Sequence, residues 1–154
     1  MVRGGRVTRV RRPAVDGWFT GDGGDFRLLG TRCGACASVF FPREDVHCRN
    51  PGCEGGELAE VPLSRRGRVW SYTDCRYRPP SPYVSDRELP WEPYTLVAVE
   101  LEAERMVVLG QAAPGVGVGE LAVGTEVEAV AGVLSEEPGT VWTTWNWRPV
   151  EVGS

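Results

Sequence analysis

The stretch CGACASVFFPREDVHCRNPGC, residues 33–53, decides the fold of the amino-terminal part of this chain. It contains two close cysteine pairs, Cys33 with Cys36 and Cys48 with Cys53, separated by eleven residues. Two such pairs can bring four thiolates around one tetrahedral cation, and the glycines and the proline between the cysteines permit tight turns. The spacing predicts a site of four sulfurs that holds zinc, with iron as the alternative, because sulfur ligands suit both metals.

The same residues leave two alternatives open. The cysteines could form two disulfides, but their total of five is odd and no apolar signal segment precedes them, whereas disulfides persist mainly in oxidising compartments. His47 could replace one sulfur because it adjoins Cys48, although adjacent residues rarely chelate one ion together. We expect His47 to be a bystander and the metal to be structural, since four thiolates leave no open position for a substrate.

Beyond residue 65 the sequence predicts β-strands. β-branched and aromatic residues concentrate in five segments, residues 67–77, 94–101, 106–111, 125–134 and 140–147. The fourth segment alternates Glu126 and Glu128 with Val127 and Ala129, as expected of a half-buried strand. Five strands without a convincing helical stripe favour a small closed barrel, of which the OB-fold is the commonest form. The predicted fold class is therefore mainly β.

The length of 154 residues fits one ordinary domain, or a small module joined to a compact domain. We predict three segments: a flexible, arginine-rich leader over residues 1–15, an aromatic segment with the metal-binding module over residues 16–62, and the barrel over residues 63–150. The leader could be a binding arm or a targeting peptide, but we expect a solvated, frayed terminus.

Composition and charge exclude several functions. The chain has 17 arginines and no lysine, which excludes a Schiff-base lysine, and its one histidine removes most mechanisms that need a histidine base. Residues 13–154 hold 12 arginines and 21 acidic residues, and this net charge of −9 disfavours nucleic-acid binding. No stretch approaches 18 consecutive apolar residues, so we expect a soluble, cytoplasmic protein.

Two groups of residues near the first barrel strand are candidates for chemistry. Cys75 could be a nucleophile, but we expect a small core thiol because no histidine base is at hand. Guanidinium groups match phosphate geometry, so a coenzyme A ligand could bind five arginines: Arg65, Arg66, Arg68, Arg76 and Arg78. The same arginines could instead form a solvated face that pairs with Glu100, Glu102 and Glu104.

Aromatic side chains are candidates for a partner interface. A proline-rich loop over residues 78–93 lies among four of them: Tyr77, Tyr83, Trp91 and Tyr94. The loop could equally fold over one end of the barrel. In the last strand, alternation places Trp145 and Trp147 on one face and Trp142 on the other, so we expect one face in the core and the other at an interface.

The order of these parts resembles a known family. Its most specific motifs are RCGACASVFFPR, residues 32–43, and SRRGRVWSYT, residues 64–73, and the likeness extends over residues 16–150. The family comprises acyl-CoA-associated OB-fold proteins with an N-terminal rubredoxin-like zinc ribbon, long catalogued as a domain of unknown function. This chain departs from it at Ala37, where the family often has glycine, and in the wider second cysteine pair, CRNPGC.

The resemblance implies a small non-catalytic partner of a thiolase-superfamily enzyme. Such enzymes include thiolases, thiolase-like acyltransferases and lipid-transfer-type aldolases that shorten steroid side chains. The resemblance also implies that Cys33, Cys36, Cys48 and Cys53 bind zinc and that the partner supplies the catalytic residues. The expected function is an accessory subunit of an acyl-CoA thiolase or retro-aldolase. A stand-alone acyl-CoA-binding protein and a zinc-ribbon nucleic-acid binder are the alternatives.

Overall fold

A computed structural model describes residues 9–21, 25–78 and 90–150. Nine β-strands occupy these ranges: β1 (Val10–Pro13), β2 (Leu29–Cys33), β3 (Val39–Phe40), β4 (Leu58–Pro62), β5 (Arg66–Cys75), β6 (Tyr94–Leu101), β7 (Met106–Ala112), β8 (Glu126–Glu137) and β9 (Thr140–Pro149). The helical structure found there is a single 3-10 turn, Val118–Glu120. No helix in these ranges is long and apolar enough to cross a membrane. The prediction of a mainly β fold is confirmed.

The amino-terminal sheet has three antiparallel strands in the order β3-β2-β4. The central strand β2 ends at Cys33, and its register sets Thr31 opposite Phe40 on one side and Glu60 on the other. Gly30 permits this close packing, because a β-carbon there would lie 2.6 Å from the carbonyl oxygen of Phe40. The sheet therefore holds the first cysteine pair at the end of a paired strand.

The later strands form a closed barrel in the order β9-β7-β6-β5-β8, closed by pairing of β8 with β9. β5, β6 and β7 are antiparallel neighbours, whereas β7 and β9 run parallel at Gln111 and Ala112. This arrangement, with the third barrel strand parallel to the fifth, is the one expected of an OB-type Greek-key barrel. The predicted five-stranded barrel is confirmed.

Strand bounds follow the sequence closely, with three informative differences. β6 spans the predicted residues, but β5 ends at Cys75 and has a register shift between Val69 and Ser71, at the exposed Trp70. In β8, Val127 and Ala129 are buried as expected, but Glu128 is buried too. Its carboxylate accepts a charge-assisted hydrogen bond of 2.6 Å from Arg148, which offsets the cost of burying the charge. Simple alternation along the strand does not predict this burial.

The first strand, β1, is the other difference. It lies inside the segment predicted to be a flexible leader, yet its four residues pair in parallel with the start of β9, from Val10 opposite Thr140 to Pro13 opposite Thr143. All four residues are exposed, so no hydrophobic pattern marks this strand in the sequence. The predicted boundaries of the leader, ribbon and barrel segments remain a prediction.

Tertiary contacts divide the chain into two compact units. The first contains Met1–Arg65 with Ala129–Trp145, and its most buried side chains include Phe26, Leu28 and Leu63. The second contains Arg66–Glu128 with Asn146–Ser154, and its core includes Val97, Val99, Leu101, Val127 and Trp147. The metal-binding module belongs wholly to the first unit.

Candidate metal centre

Four cysteine sulfurs converge at one end of the amino-terminal sheet. The Sγ atoms of Cys33, Cys36, Cys48 and Cys53 all lie within 4.8 Å of one another. Cys33 and Cys53 are 3.8 Å apart at sulfur, and Cys36 and Cys48 are 3.6 Å apart. A tetrahedral ion with zinc–sulfur bonds of about 2.3 Å sets its sulfurs about 3.8 Å apart. The four side chains therefore fit a single tetrahedral metal ion.

All five cysteines are free thiols in this structure, so the disulfide alternative finds no support in it. His47 is exposed and stands outside the sulfur group, as the sequence predicted for a bystander. The four sulfurs leave no coordination position for a substrate, so an ion held here has a structural role.

Backbone amides point at both sulfurs of the second cysteine pair, and a hydroxyl lies beside one sulfur of the first. The N–H of Asn50 donates to Cys48 Sγ and the N–H of Gly55 donates to Cys53 Sγ, each at 3.4 Å. Cys36 Sγ lies 3.2 Å from Ser38 Oγ. These contacts stabilise negative charge on the sulfurs, which a metal ligand requires. In each case the contacting residue lies two positions after the cysteine, as expected of tight turns that aim amides at sulfur.

These contacts and the crowding of four sulfurs shift the pKa values of the thiols in opposite directions. Contacts with the side chain and then the backbone of Ser38 lower the pKa of Cys36 to about 6. The Asn50 amide lowers the pKa of Cys48, but burial and the neighbouring sulfurs outweigh it and raise that pKa to about 12. A cation must displace the remaining protons, so metal affinity falls as the pH falls.

The structure accommodates both departures from the family pattern, Ala37 and the wider second cysteine pair. Ala37 adopts a left-handed backbone with φ of 64°, a conformation that glycine adopts without strain. The wider second pair closes through a turn in which the Cys53 N–H donates to the Asn50 carbonyl and the Asn50 side chain accepts from Gly52. This turn brings the sulfur of Cys53 into the group despite the two extra residues.

The loop between the cysteine pairs is anchored by charged side chains. The buried Glu44 accepts from Arg49 at 2.5 Å, and its own N–H donates to the hydroxyl of Thr31. Arg43 donates to Glu60 at 2.6 Å and to the carbonyl of Gly17 at 2.9 Å. The middle of the loop, at Arg43 and Glu44, is thereby tied to β4 and β2 of the amino-terminal sheet.

Gly56 is a steric requirement of the centre that the sequence analysis missed. A β-carbon there would lie 2.8 Å from Cys33 Sγ and 2.7 Å from the backbone nitrogen of Ala35. Gly56→Ala is therefore expected to displace a ligand sulfur and to weaken zinc binding about 10-fold to 100-fold, measured by competition with a chromophoric chelator. Gly52→Ala is the control, because its β-carbon would make only an ordinary contact, 3.5 Å from Asn50 Oδ1. Equal affinities in the two variants would contradict this prediction.

The five candidate arginines are distributed to both ends of β5. Arg66 pairs with Glu126 and Glu128, and Arg68 donates to the carbonyl of Gly124. At the far end Arg76 pairs with Asp74. The side chain of Arg65 donates to the backbone of β8, and the guanidinium of Arg78 lies 5.9 Å from the ring centre of Trp91. At about 3.3 Å per residue, the ends of this ten-residue strand are roughly 30 Å apart, too far for one phosphate clamp.

The aromatic candidates lie where the proline-rich loop meets the barrel, except that Tyr83 lies outside the described residues. Tyr77 is 88% exposed. Trp91 packs edge-on against Tyr94 and donates its indole N–H to the carbonyl of Cys75. Cys75 is half-buried and separate from the sulfur group.

Comparison with known proteins shows what this ribbon resembles. Residues 22–59 match the family model described as ChsH2, rubredoxin-like zinc ribbon domain. This module is similar to the ChsH2-type ribbon. The match covers β2, β3, the first two residues of β4 and all four sulfurs of the centre.

Longer similarities extend beyond the ChsH2-type ribbon. A DUF35 domain-containing scaffold protein of Methanocaldococcus jannaschii is 29% identical over 80% of this chain and 82% of its own length. A solved structure of the Ltp2-ChsH2(DUF35) aldolase matches with a TM-score of 0.56 at 27% identity, over 80% of this chain and 84% of that chain. The resemblance predicted from the sequence is confirmed.

Two relatives are benzoylsuccinyl-CoA thiolase subunits BbsA. The subunit of Thauera aromatica is 45% identical over 30% of this chain and 31% of its own length. The subunit of Geobacter metallireducens is 38% identical over 52% of this chain and 47% of its own length. The aligned parts therefore span less than half of each BbsA subunit.

Proposed function

We propose that this chain is a non-catalytic accessory subunit of a thiolase-superfamily enzyme that acts on acyl-CoA thioesters. The observation that carries the proposal is the match to the Ltp2-ChsH2(DUF35) aldolase over 80% of the chain, which is too long to be confined to the ribbon. The BbsA relatives are named as thiolase subunits, which supports the same class of partner. The single, exposed histidine fits a chain that leaves catalysis to its partner.

In this proposal zinc is the metal of the ribbon, and Cys33, Cys36, Cys48 and Cys53 are its ligands. The sulfur spacings of 3.6 and 3.8 Å support a tetrahedral ion. Four thiolate ligands are typical of structural zinc sites. The ion would keep the ribbon rigid. Five free thiols are in keeping with a reducing compartment, so we place the protein in the cytoplasm.

The aromatic residues at the foot of the proline-rich loop are the proposed contact with the partner. Tyr77 is the most exposed of them, and the rings of Trp91 and Tyr94 pack against each other. Arg76 and Arg78 lie beside this aromatic group, so we propose them, ahead of Arg65, Arg66 and Arg68, as contacts for acyl-CoA phosphates. Steroid side-chain CoA thioesters are one substrate class that the family resemblance suggests.

Co-expression with a candidate thiolase-like partner protein tests the function. We expect the two to co-elute in gel filtration and the complex to be at least about 10-fold more active than the thiolase-like protein alone. Separate elution together with full activity of the isolated partner would contradict the proposal. Calorimetry of the isolated chain with acyl-CoA identifies the stand-alone binder, because only that alternative needs binding without a partner.

Tyr77→Ala tests the partner surface. Exposed aromatic anchors carry much of the energy of an interface, so we expect affinity for the partner to fall about 10-fold or more in surface plasmon resonance. Trp70→Ala is the control, because Trp70 is 60% exposed on β5 but lies outside the loop. Unchanged affinity in Tyr77→Ala would show that this surface does not bind the partner. The accessory function itself would still be decided by the co-elution experiment.

A further inference from the structure

Three aromatic rings from distant parts of the chain form a closed triangle in the first unit. The ring centres are 5.6 Å apart for Trp18 and Phe41, 5.5 Å for Phe41 and Trp145, and 6.2 Å for Trp18 and Trp145. Phe19 extends the group, 6.2 Å from Trp145. Trp145 lies in β9, so this ring group joins the chain near the metal centre to a barrel strand.

Phe41 enters the triangle from the loop between the two cysteine pairs. Both ends of that loop carry sulfurs of the centre, at Cys36 and Cys48, and β3 pairs the loop with the strand that ends at Cys33. The position of the Phe41 ring therefore depends on how the two cysteine pairs are held.

Trp18 is connected to the same centre by a second route. Its carbonyl accepts a hydrogen bond of 2.7 Å from the N–H of Leu29, the first residue of the strand that ends at Cys33. The neighbouring Gly17 carbonyl accepts from Arg43, which lies two residues after Phe41. Two of the three rings are thus fixed by segments that the sulfur group joins.

We infer that metal binding and the packing of Trp145 are coupled through Phe41 and Trp18. The ion fixes the loop and the strand that carry these two rings, and the two rings fix the indole of Trp145. Trp145 is 92 residues beyond Cys53 and belongs to no part of the ribbon sheet. The packing of Trp145 in the barrel strand β9 therefore depends on whether the metal is bound.

Coupling between two sites is reciprocal, so loss of the indole must weaken metal binding by the same factor with which the metal favours its packed position. We expect Trp145→Ala to weaken zinc binding about 10-fold, within the usual range of coupling between sites, in competition with a chromophoric chelator. Trp142→Ala is the matched control on the same strand, because Trp142 is half-buried and is not one of the three rings of the triangle. Its zinc affinity should equal that of the unaltered chain.

Circular dichroism establishes first that Trp145→Ala is folded. If it is not, Trp145→Phe decides the question: this variant retains an aromatic ring of smaller area and should bind zinc less tightly than the unaltered chain. Equal zinc affinity in the folded Trp145 variant and in Trp142→Ala would overturn the inference.

A spectroscopic measurement examines the opposite direction of the coupling. In protein labelled with 5-fluorotryptophan and assigned by single Trp→Phe variants, zinc removal should shift the ¹⁹F resonances of Trp18 and Trp145. The resonance of Trp70, on a strand of the second unit, should stay in place. A fixed Trp145 resonance, or equal changes at Trp70, would overturn a local coupling.

Discussion

Cys33→Ser lowers the affinity of this chain for zinc more than about 100-fold, because loss of a direct ligand must exceed the 10-fold to 100-fold loss usual for outer contacts. Cys33 is the most buried of the four cysteines, with 1% of its surface exposed, and its sulfur lies 3.8 Å from that of Cys53. A serine hydroxyl is a harder and far less acidic ligand than a thiol, so three thiolates must hold the ion. Competition with a chromophoric chelator at constant pH measures the change.

Cys75→Ser is the control for this substitution. Cys75 is the cysteine outside the sulfur group, so its replacement should leave the zinc stoichiometry and affinity unchanged. The same variant tests the nucleophile alternative, because full activity of the partner complex would show that this thiol takes no part in catalysis. A zinc affinity of Cys33→Ser equal to that of Cys75→Ser would contradict the four-sulfur centre.

Trp147→Ala lowers the free energy of unfolding by about 3–5 kcal/mol, the range for truncation of a large aromatic side chain in a core. The Trp147 side chain is fully buried, with 0% exposed. Its indole nitrogen has no hydrogen-bond acceptor in the ranges that the structure covers. Trp147→Phe removes this unsatisfied donor while it retains a ring, so we expect a smaller loss of about 1–2 kcal/mol. Urea denaturation of the zinc-loaded protein measures both values.

Trp70→Ala is the control for the barrel. Trp70 is 60% exposed, and its replacement should change the free energy of unfolding by no more than about 0.5 kcal/mol. A similar loss in Trp70→Ala and Trp147→Ala would contradict the assignment of Trp147 to the core. A larger loss in Trp147→Phe than in Trp147→Ala would contradict the role given to the unsatisfied indole nitrogen.

The parts of the fold that sequence predicted are those with a local physical cause. Two closely spaced cysteine pairs can bring their sulfurs together in only a few arrangements. The four sulfurs lie together as predicted. The bounds of β6 follow from a run of β-branched and apolar residues, and the structure gives the same bounds, Tyr94–Leu101. In both cases neighbours along the chain supply the decisive interactions.

Features whose interacting residues are far apart in the chain were not predicted from the sequence. β1 has four exposed residues and forms because its backbone pairs with β9, some 130 positions away. Glu128 is buried because Arg148 meets it across the strands. Five arginines are close in sequence, but the extended strand β5 places them in two groups, one near each of its ends.

The sequence by itself determined the cysteine cluster of the metal centre and the number of barrel strands with their positions along the chain, because cysteine spacing and strand periodicity are properties of short segments. Only the tertiary structure decided which distant side chains meet, including Phe41 with Trp145 and Gly56 with the sulfur of Cys33. Such contacts depend on how the segments pack in three dimensions, and no short stretch of sequence carries that information.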